Sequence, residues 1–519
     1  MACCAPPFIG YWADHLFGPG EAATVFKHAQ LESVKAFVGD PAHAGLPLHA
    51  RIQRAIRQLI LDGALEVGRR LPASRPLAQS LGVSRDTVEA AYRQLHAEGF
   101  IERQIGSGSC VSRRARVFAG RDAPRRRIQP QLPRLSARGQ ALHGTGGVSG
   151  VLAPRAFAPG VPETRSFPLQ AWERLQREVI REHGSAVLAH SPAQGVVALR
   201  RSIADYINLE RGGHAIPERV LVLTSSQQAL TLCATVLLDP GDRIFVEDPM
   251  YHGAARAFDA AGLKRVPIAV DTEGMQVERL RRQALEARAV FLTPSHQFPT
   301  GATLSLDRRL ALVHWARDND AWIIEDDYDS EFHYAGKPTA CVQGLDPHER
   351  TLYIGTFTKS LFPGLRIGYM VLPPALVAPM TVARTLMDGH TPTLNQLTLA
   401  RFMDGGHFGA HVRAMRNVYV DRRDALLRLV HQHLSEFVVP EVPAGGMQLP
   451  CFLKPGISEQ AALDGARRAG VELQGLTALH ASRTPRPGFL LGFAAYTVAE
   501  MERAVVQLAT ALRRVTAAR

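Results

Sequence analysis

At 519 residues the chain exceeds what one hydrophobic core usually organises, and at roughly 100–200 residues per domain it predicts two to four domains. With 46% apolar and 21% charged residues it carries no disordered or fibrous signature, and no run of about 18 consecutive apolar residues predicts a membrane span. The net charge of +12 is unevenly placed. Residues 46–112 carry nine Arg against six acids and residues 113–155 carry ten Arg against Asp122 alone, a pattern that suits either a phosphate backbone or an exposed basic linker.

The six cysteines, Cys3, Cys4, Cys110, Cys233, Cys341 and Cys451, have neither metal-site spacing nor the density of a disulfide framework, so no metal is expected and free thiols in a reducing compartment are. Residues 1–20 hold Asp14 and Pro6-Pro7 where a signal peptide would need a positive start and an apolar run, which makes the cytoplasm the expected location.

Residues 1–45 form an N-terminal extension to which the sequence assigns no role, with one possible short helix over 24–37. A domain is predicted over 46–112. It opens with an amphipathic helix in which Leu48, Ile52, Ile56, Leu59 and Ile60 share one face. Pro72-Ala73-Ser74-Arg75 is expected to cap a second, short helix, and Gly82-Val83-Ser84 turns into a third over 84–98. Two strands around Gly106-Ser107-Gly108 complete a wing.

In a helix-turn-helix the second helix enters the major groove by its N-terminus. Ser84, Arg85 and Thr87 sit there, Arg85 able to offer two donors to a guanine, while Ser107 and Gly108 at the wing tip permit close approach to the backbone. By itself this pattern also suits a small helical packing domain that binds another protein. The whole run from Leu71 to Ile101 resembles the GntR family of winged helix-turn-helix repressors. That resemblance implies that Arg75 and Arg85 are the principal DNA contacts, supported by Ser84, Thr87, Ser107 and Gly108.

Residues 113–155, with alternating Arg, Pro and Gly, predict a flexible basic linker. Over 156–519 apolar strand-like runs alternate with helical patterns, as an α/β sheet requires, and a helical stretch followed by a mixed one closes the chain.

This second domain has the groups that pyridoxal 5′-phosphate (PLP) demands. Lys359 in Gly355-Thr356-Phe357-Thr358-Lys359-Ser360 follows an apolar strand, and Arg366 seven residues later is fit to bind a phosphate dianion. Ser225, Ser226 and Gln227 open a helix directly after a strand and present free N–H groups to the same anion. Asp326 and Asp327 end another strand. Alone, such a pair suits a pyridine nitrogen or a magnesium ion, although no phosphate-binding glycine loop accompanies it.

Five motifs in order, Thr224 to Gln228, Asp248 to Tyr251, Thr293 to Gly301, Glu325 to Tyr328 and Thr356 to Arg366, resemble a fold-type I aminotransferase with a large α/β domain and a smaller C-terminal α+β part. By that resemblance Lys359 forms the internal aldimine, Asp326 pairs with the pyridine nitrogen, Tyr328 with the phenolic oxygen, and Tyr251 stacks on the ring. Ser225, Ser226, Gln227, Thr356, Thr358 and Arg366 bind phosphate, and His296 and Gln297 line the cofactor.

The order of modules resembles the MocR subfamily, which implies a head-to-tail homodimer, an operator of double-stranded DNA and an amino compound as effector. The pattern departs from an enzyme at Leu490, where aminotransferases place an Arg for the substrate carboxylate. Arg483 or Arg486 could replace it. Gln448 stands where related regulators tend to have His, and His296-Gln297-Phe298-Pro299 replaces Asn-Pro-Thr-Gly. The expected function is a PLP-dependent regulator whose operator binding is modulated by PLP or its aldimine with an amine. The alternatives are an active aminotransferase with an accessory module and a regulator that uses the second domain only as a dimerisation scaffold.

Overall fold

The computed structural model describes residues 26, 28–104, 108–114, 135–148, 154–282, 286–334, 339–481 and 485–517. The chain divides into two compact units, Met1–Pro133 and Arg134–Arg519.

The first unit comprises α1 (His28–Gly39), α2 (Leu48–Leu61), α3 (Ser74–Leu81), α4 (Arg85–Ala97), β1 (Ile101–Gln104) and β2 (Gly108–Val111), the strands forming an antiparallel pair. Its core is built from the helical stripes read in the sequence: Ile52, Ile56 and Ile60 of α2 meet Leu77 of α3 and Val88, Ala91 and Leu95 of α4, all buried. Phe26 and Val34 join this cluster, so α1 is part of the unit although no role is expected of residues 1–45. Arg51 ties it down by donating to the carbonyls of Val38, Ala44 and Leu46.

The two helix starts are capped differently. The cap of α3 is Ala73 without a side-chain hydrogen bond, because Ser74 is drawn into the helix and buried; Ser84, in contrast, caps α4 by accepting from Thr87 N at 3.2 Å.

Within the stretch expected to be linker, α5 (Ala137–Gly144) forms under a Ser136 cap. None of its side chains is buried, which is why no apolar period announces it. Arg256 donates to the carbonyl of Gly147, just beyond it.

The second unit continues with α6 (Leu169–His183) and α7 (Val197–Arg211), then builds a large sheet. Its strands are β3 (Val220–Leu223), β4 (Arg243–Asp248), β5 (Lys264–Asp271), β6 (Gly274–Met275), β7 (Ala289–Leu292), β8 (Trp322–Asp327), β9 (Thr351–Thr356) and β10 (Gly368–Val371), ordered β3-β10-β9-β8-β7-β4-β5-β6. β5, β4, β7, β8 and β9 are parallel; β10 runs antiparallel to both its neighbours. Between strands lie α8 (Ser226–Val236), α9 (His252–Ala260), α10 (Leu306–Asp318), α11 (Val342–Leu345) and α12 (Phe357–Ser360).

The strands are apolar on both sides because both faces are covered. Leu221, Ile324 and Ile354 point into one cluster; Val220, Val222 and Tyr353 point into another.

After α13 (Pro374–Asp388), α14 (Thr393–Asp404) and α15 (His407–His433), a four-stranded antiparallel sheet forms from β11 (Val438–Pro440), β12 (Gln448–Leu453), β13 (Gln474–Gly475) and β14 (Gly488–Gly492). With α16 (Glu459–Arg468) and α17 (Val498–Ala517) it encloses a separate core containing Leu449, Cys451, Phe489 and Leu491. Among the described residues no helix is long and apolar enough to cross a membrane.

Candidate functional site

In the first unit, Arg75 and Arg85 are both exposed at the starts of the two helices that flank the Gly82 turn. Gly82 holds φ +65°, a left-handed turn conformation that favours glycine. Arg85 Nε reaches Ser74 Oγ at 3.4 Å, which leaves both terminal guanidinium nitrogens available, and Thr87 Oγ1 lies 2.8 Å from Ser84 Oγ. Gly108 opens β2 with φ +86°; Ser107 lies outside the described residues.

In the second unit the strand register gathers the phosphate candidates. Gly368 pairs with Leu223 on one side and Thr356 on the other, so the turn after β3, the end of β9 and the start of β10 share one edge of the sheet. A Cβ on Gly368 would lie 3.0 Å from the Ser225 carbonyl carbon, which shows how closely that turn approaches. Ser225, Ser226 and Gln227 stand at the N-terminus of α8, Thr356 Oγ1 lies 3.0 Å from Thr358 Oγ1, and Arg366 sits exposed at φ +56° with no ion pair among the described residues. Free N–H groups, hydroxyls and a guanidinium at one edge suit a phosphate dianion.

Asp326 and Asp327 alternate across β8, and their surroundings separate them. Asp327 is committed: Arg211 Nε donates to its Oδ2 at 2.9 Å and Tyr353 OH at 2.7 Å, while Arg211 also reaches Ser295 Oγ at 2.6 Å. These contacts hold the Asp327 carboxyl below its ordinary range even though burial pushes it up.

Oδ1 of each carboxylate is buried with no hydrogen-bond partner among the described residues, but Asp327 is engaged through its Oδ2 by Arg211 and Tyr353, whereas Asp326 has no such ion pair there. Burial, and then Asp327, raise the Asp326 carboxyl to about 7, with Lys359 opposing. A cationic ring nitrogen is the kind of partner Asp326 Oδ1 lacks.

Lys359 Nζ donates to Gly160 O at 2.6 Å. Burial lowers its pKa, and Asp329 and Asp326 resist that shift, so the amine is held towards its neutral, nucleophilic form.

Tyr251, Phe298 and Tyr328 form a ladder of edge-on rings with centroids 5.6 and 6.2 Å apart. Burial raises both phenols, Tyr251 to about 12.

The two remaining expected ligands are placed differently. Gln297 turns its amide into the loop: Nε2 donates to Pro249 O and Phe298 O, and Oε1 accepts from Thr300 N and Oγ1. With both ends of the amide occupied it braces the cis Phe298-Pro299 turn and leaves nothing for a cofactor. His296 Nδ1 meets Asp329 Oδ1 at 2.9 Å, both residues buried, beneath Gly445 where a Cβ would lie 2.2 Å from the imidazole.

Residues 48–111 match the bacterial regulatory proteins of the gntR family, and residues 160–507 match aminotransferase class I and II. The chain is 35% identical over 477 residues to the probable rhizopine catabolism regulatory protein MocR of Rhizobium meliloti, covering 90% of this chain and 94% of the relative. The chain belongs to the MocR-type regulators of the GntR family. The second unit resembles the multiple substrate aminotransferase of Thermococcus profundus (29% identity, TM-score 0.66, 74% of this chain and 98% of that one). It also resembles the α-aminoadipate aminotransferase of Thermus thermophilus solved with N-(5′-phosphopyridoxyl)-L-leucine (27% identity, TM-score 0.67, 73% and 98%). A MocR-type regulator thus joins a DNA-binding winged helix to a fold-type I aminotransferase domain, whose cofactor is PLP.

This MocR-type chain departs from an enzyme where the sequence indicated. Leu490 is fully buried beside Phe298, Phe452, Leu476 and Leu479, with Tyr251 and Tyr328 packed on the same cluster. Arg486 is bound to Glu441 and stacks 3.6 Å over the Phe452 ring; Arg483 lies outside the described residues.

Three functional positions escaped sequence reading. Arg211 ends α7, 116 residues from Asp327 along the chain, and carries no local motif. Gly160 lies 199 residues from Lys359. Asp329 differs in that it is only three residues beyond Asp326, so proximity to that motif was a usable signal.

Proposed function

We propose that this protein is a transcription regulator whose affinity for a double-stranded operator depends on PLP at Lys359 and on amino compounds that react there. The carrying observation is the pairing of a Lys359 amine desolvated by burial and an Asp326 Oδ1 unpartnered among the described residues with Leu490 in the place of a substrate-binding Arg. Bound PLP supplies an electrophilic carbon and an electron-withdrawing ring. In this reading Lys359 is the nucleophile, Asp326 stabilises the protonated ring nitrogen, Tyr251 and Tyr328 flank the ring, and Ser225, Ser226, Gln227, Thr356, Thr358 and Arg366 hold the phosphate. Arg75 and Arg85 contact DNA. A cytoplasmic, head-to-tail homodimer is the assembly proposed.

The segment that holds Gly160 gives a route for the response. Tyr496 OH donates to Arg155 O at 2.6 Å, Glu472 N to Ala156 O and Gly492 N to Phe157 O, so the chain is pinned just before it reaches Lys359. In sequence this same segment leads back to the DNA-binding unit. The free amine of Lys359 holds Gly160, and engaging that amine with the cofactor changes this contact. A ligand shifts such an equilibrium only through its different affinity for the two arrangements.

The test is binding of the full chain to DNA selected from a random-sequence library, with the protein cofactor-free, loaded with PLP, and loaded in the presence of amines. Affinity is expected to change between these states, and Lys359→Ala is expected to bind DNA but lose the response. Identical affinity in every state overturns the reading.

A further inference from the structure

The face that the small sheet turns towards the cofactor candidates carries no charge. Along β12 and β14 side chains alternate, and Leu449, Cys451, Phe489 and Leu491 face the core of the C-terminal part. The opposite set is Gln448, Pro450 and Phe452 on β12 and Gly488, Leu490 and Gly492 on β14, paired Gln448 with Gly492, Pro450 with Leu490 and Phe452 with Gly488. Gln474 of β13 pairs with Leu490 on its other side. Leu490 and Phe452 belong to the cluster that contains Phe298 and abuts Tyr251 and Tyr328.

The polar groups reaching this face are amides, an imidazole and, over Phe452, the Arg486 guanidinium that Glu441 already pairs; Gln474 Nε2 lies 3.5 Å from His252 Nδ1. Burial, Arg256 and Lys359 all lower the pKa of His252, which therefore supplies no positive charge.

Three of the cations nearby are already ion-paired. Arg211 is paired with Asp327, Arg422 with Glu163 and Arg486 with Glu441; Arg416 and Arg256 are held by the backbone carbonyls of Glu331 and Gly147 and keep their charge, but neither stands on this face of the sheet. Arg366 lies just before β10, at the edge shared by Ser225 and Thr356, among the groups assigned to the phosphate.

An α-amino acid whose amine reaches Lys359's cofactor must lay its carboxylate against some neighbouring surface. Taking that charge out of water without a counter-charge is costly, whereas a hydroxyl or an apolar substituent is matched by a glutamine amide or by Leu490 and Phe298.

We infer that the effector is a primary amine without a carboxylate, read by Leu490, Gln448 and Gln474. This rests on the proposed role of Lys359 and PLP, and specifies the ligand of that same site.

The test titrates the visible absorption band of the PLP-loaded full chain with pairs that differ in one carboxylate: ethanolamine against L-serine, phenethylamine against L-phenylalanine, and butylamine against γ-aminobutyrate. Each is compared at equal concentration of unprotonated amine and normalised to its reaction with free PLP. The amine of each pair is expected to shift the band at a concentration lower by about tenfold or more, since a tenfold change needs only ~1.4 kcal/mol.

Leu490→Arg is expected to narrow or reverse that preference, and Gln448→Arg, at a polar position on the same face, repeats the test should the first variant fold poorly. A preference for the amino acid, or no shift with either member, overturns the inference while the band itself upholds the cofactor reading. Absence of any band overturns both.

Discussion

Lys359 Nζ donates to the carbonyl oxygen of Gly160 across 199 residues of sequence, at 2.6 Å. Gly160 holds φ +69°, and a Cβ there would stand 2.8 Å from the amine. Gly160→Ala therefore combines a strained left-handed backbone with a collision at the amine. PLP affinity of the full chain, followed by the visible band, is expected to weaken by about tenfold. An unchanged titration would show that this close approach is without consequence for the cofactor.

Arg211 and Asp327 form a buried ion pair behind the site, satisfied further by Ser295 and Tyr353. Removing one partner leaves an uncompensated charge in the interior. Arg211→Ala is expected to cost about 3–5 kcal/mol in urea unfolding of the cofactor-free protein. The double variant Arg211→Met with Asp327→Asn should recover part of that loss, because the stranded charge is gone.

The sequence carries the parts of the site that are local. The strand ends at Leu223, Thr356 and Asp327 lie within a residue or two of the apolar runs, and the chemistry-bearing residues follow them directly, so their meeting at one edge is the ordinary outcome of a parallel sheet. Burial and long-range pairing were not local. Nothing adjacent to Asp326 and Asp327 distinguishes two neighbouring carboxylates; Arg211, brought in by α7, does so by engaging only one. Gln297 was read with its motif as a ligand, yet its amide is consumed by its own loop, which only the folded turn reveals. The helix α1 is weakly marked because its apolar residues, Ala29, Leu31, Val34, Ala36, Phe37 and Val38, are spread around it and form no single stripe, and it gains its place by packing Val34 into a core formed by α2 to α4.

Arg75 and Arg85 are expected to contribute differently to DNA binding. Arg85 stands at the first turn of the helix capped by Ser84, with Nε on Ser74 and its terminal nitrogens left over, which suits it to the base contact proposed for it. Arg85→Ala should cost about 1–3 kcal/mol on the selected sequence and relax its specificity. If Arg75 contacts phosphate, Arg75→Ala should weaken all sequences alike and reduce the slope of log affinity against log salt by about 1. Mobility-shift titrations at several salt concentrations, on selected and scrambled DNA, separate the two effects.

Asp326 makes the stability of the cofactor-free protein depend on pH in a defined direction. Burial, with Asp327 next, raises its carboxyl from 3.8 to about 7. Between those values the folded chain holds a proton that the unfolded chain has lost, so this group's contribution falls as pH rises through the window. Asp326→Asn removes the titration and should flatten the fall in Tm measured across it. PLP should flatten it in the wild-type protein as well, because a protonated ring nitrogen beside Oδ1 favours the carboxylate that burial disfavours. Melting curves of wild-type and variant protein, each with and without PLP, give the difference directly. Parallel wild-type and Asp326→Asn profiles would mean that the carboxylate does not titrate in this window, and a slope in the wild type that PLP leaves unchanged would detach Asp326 from the ring.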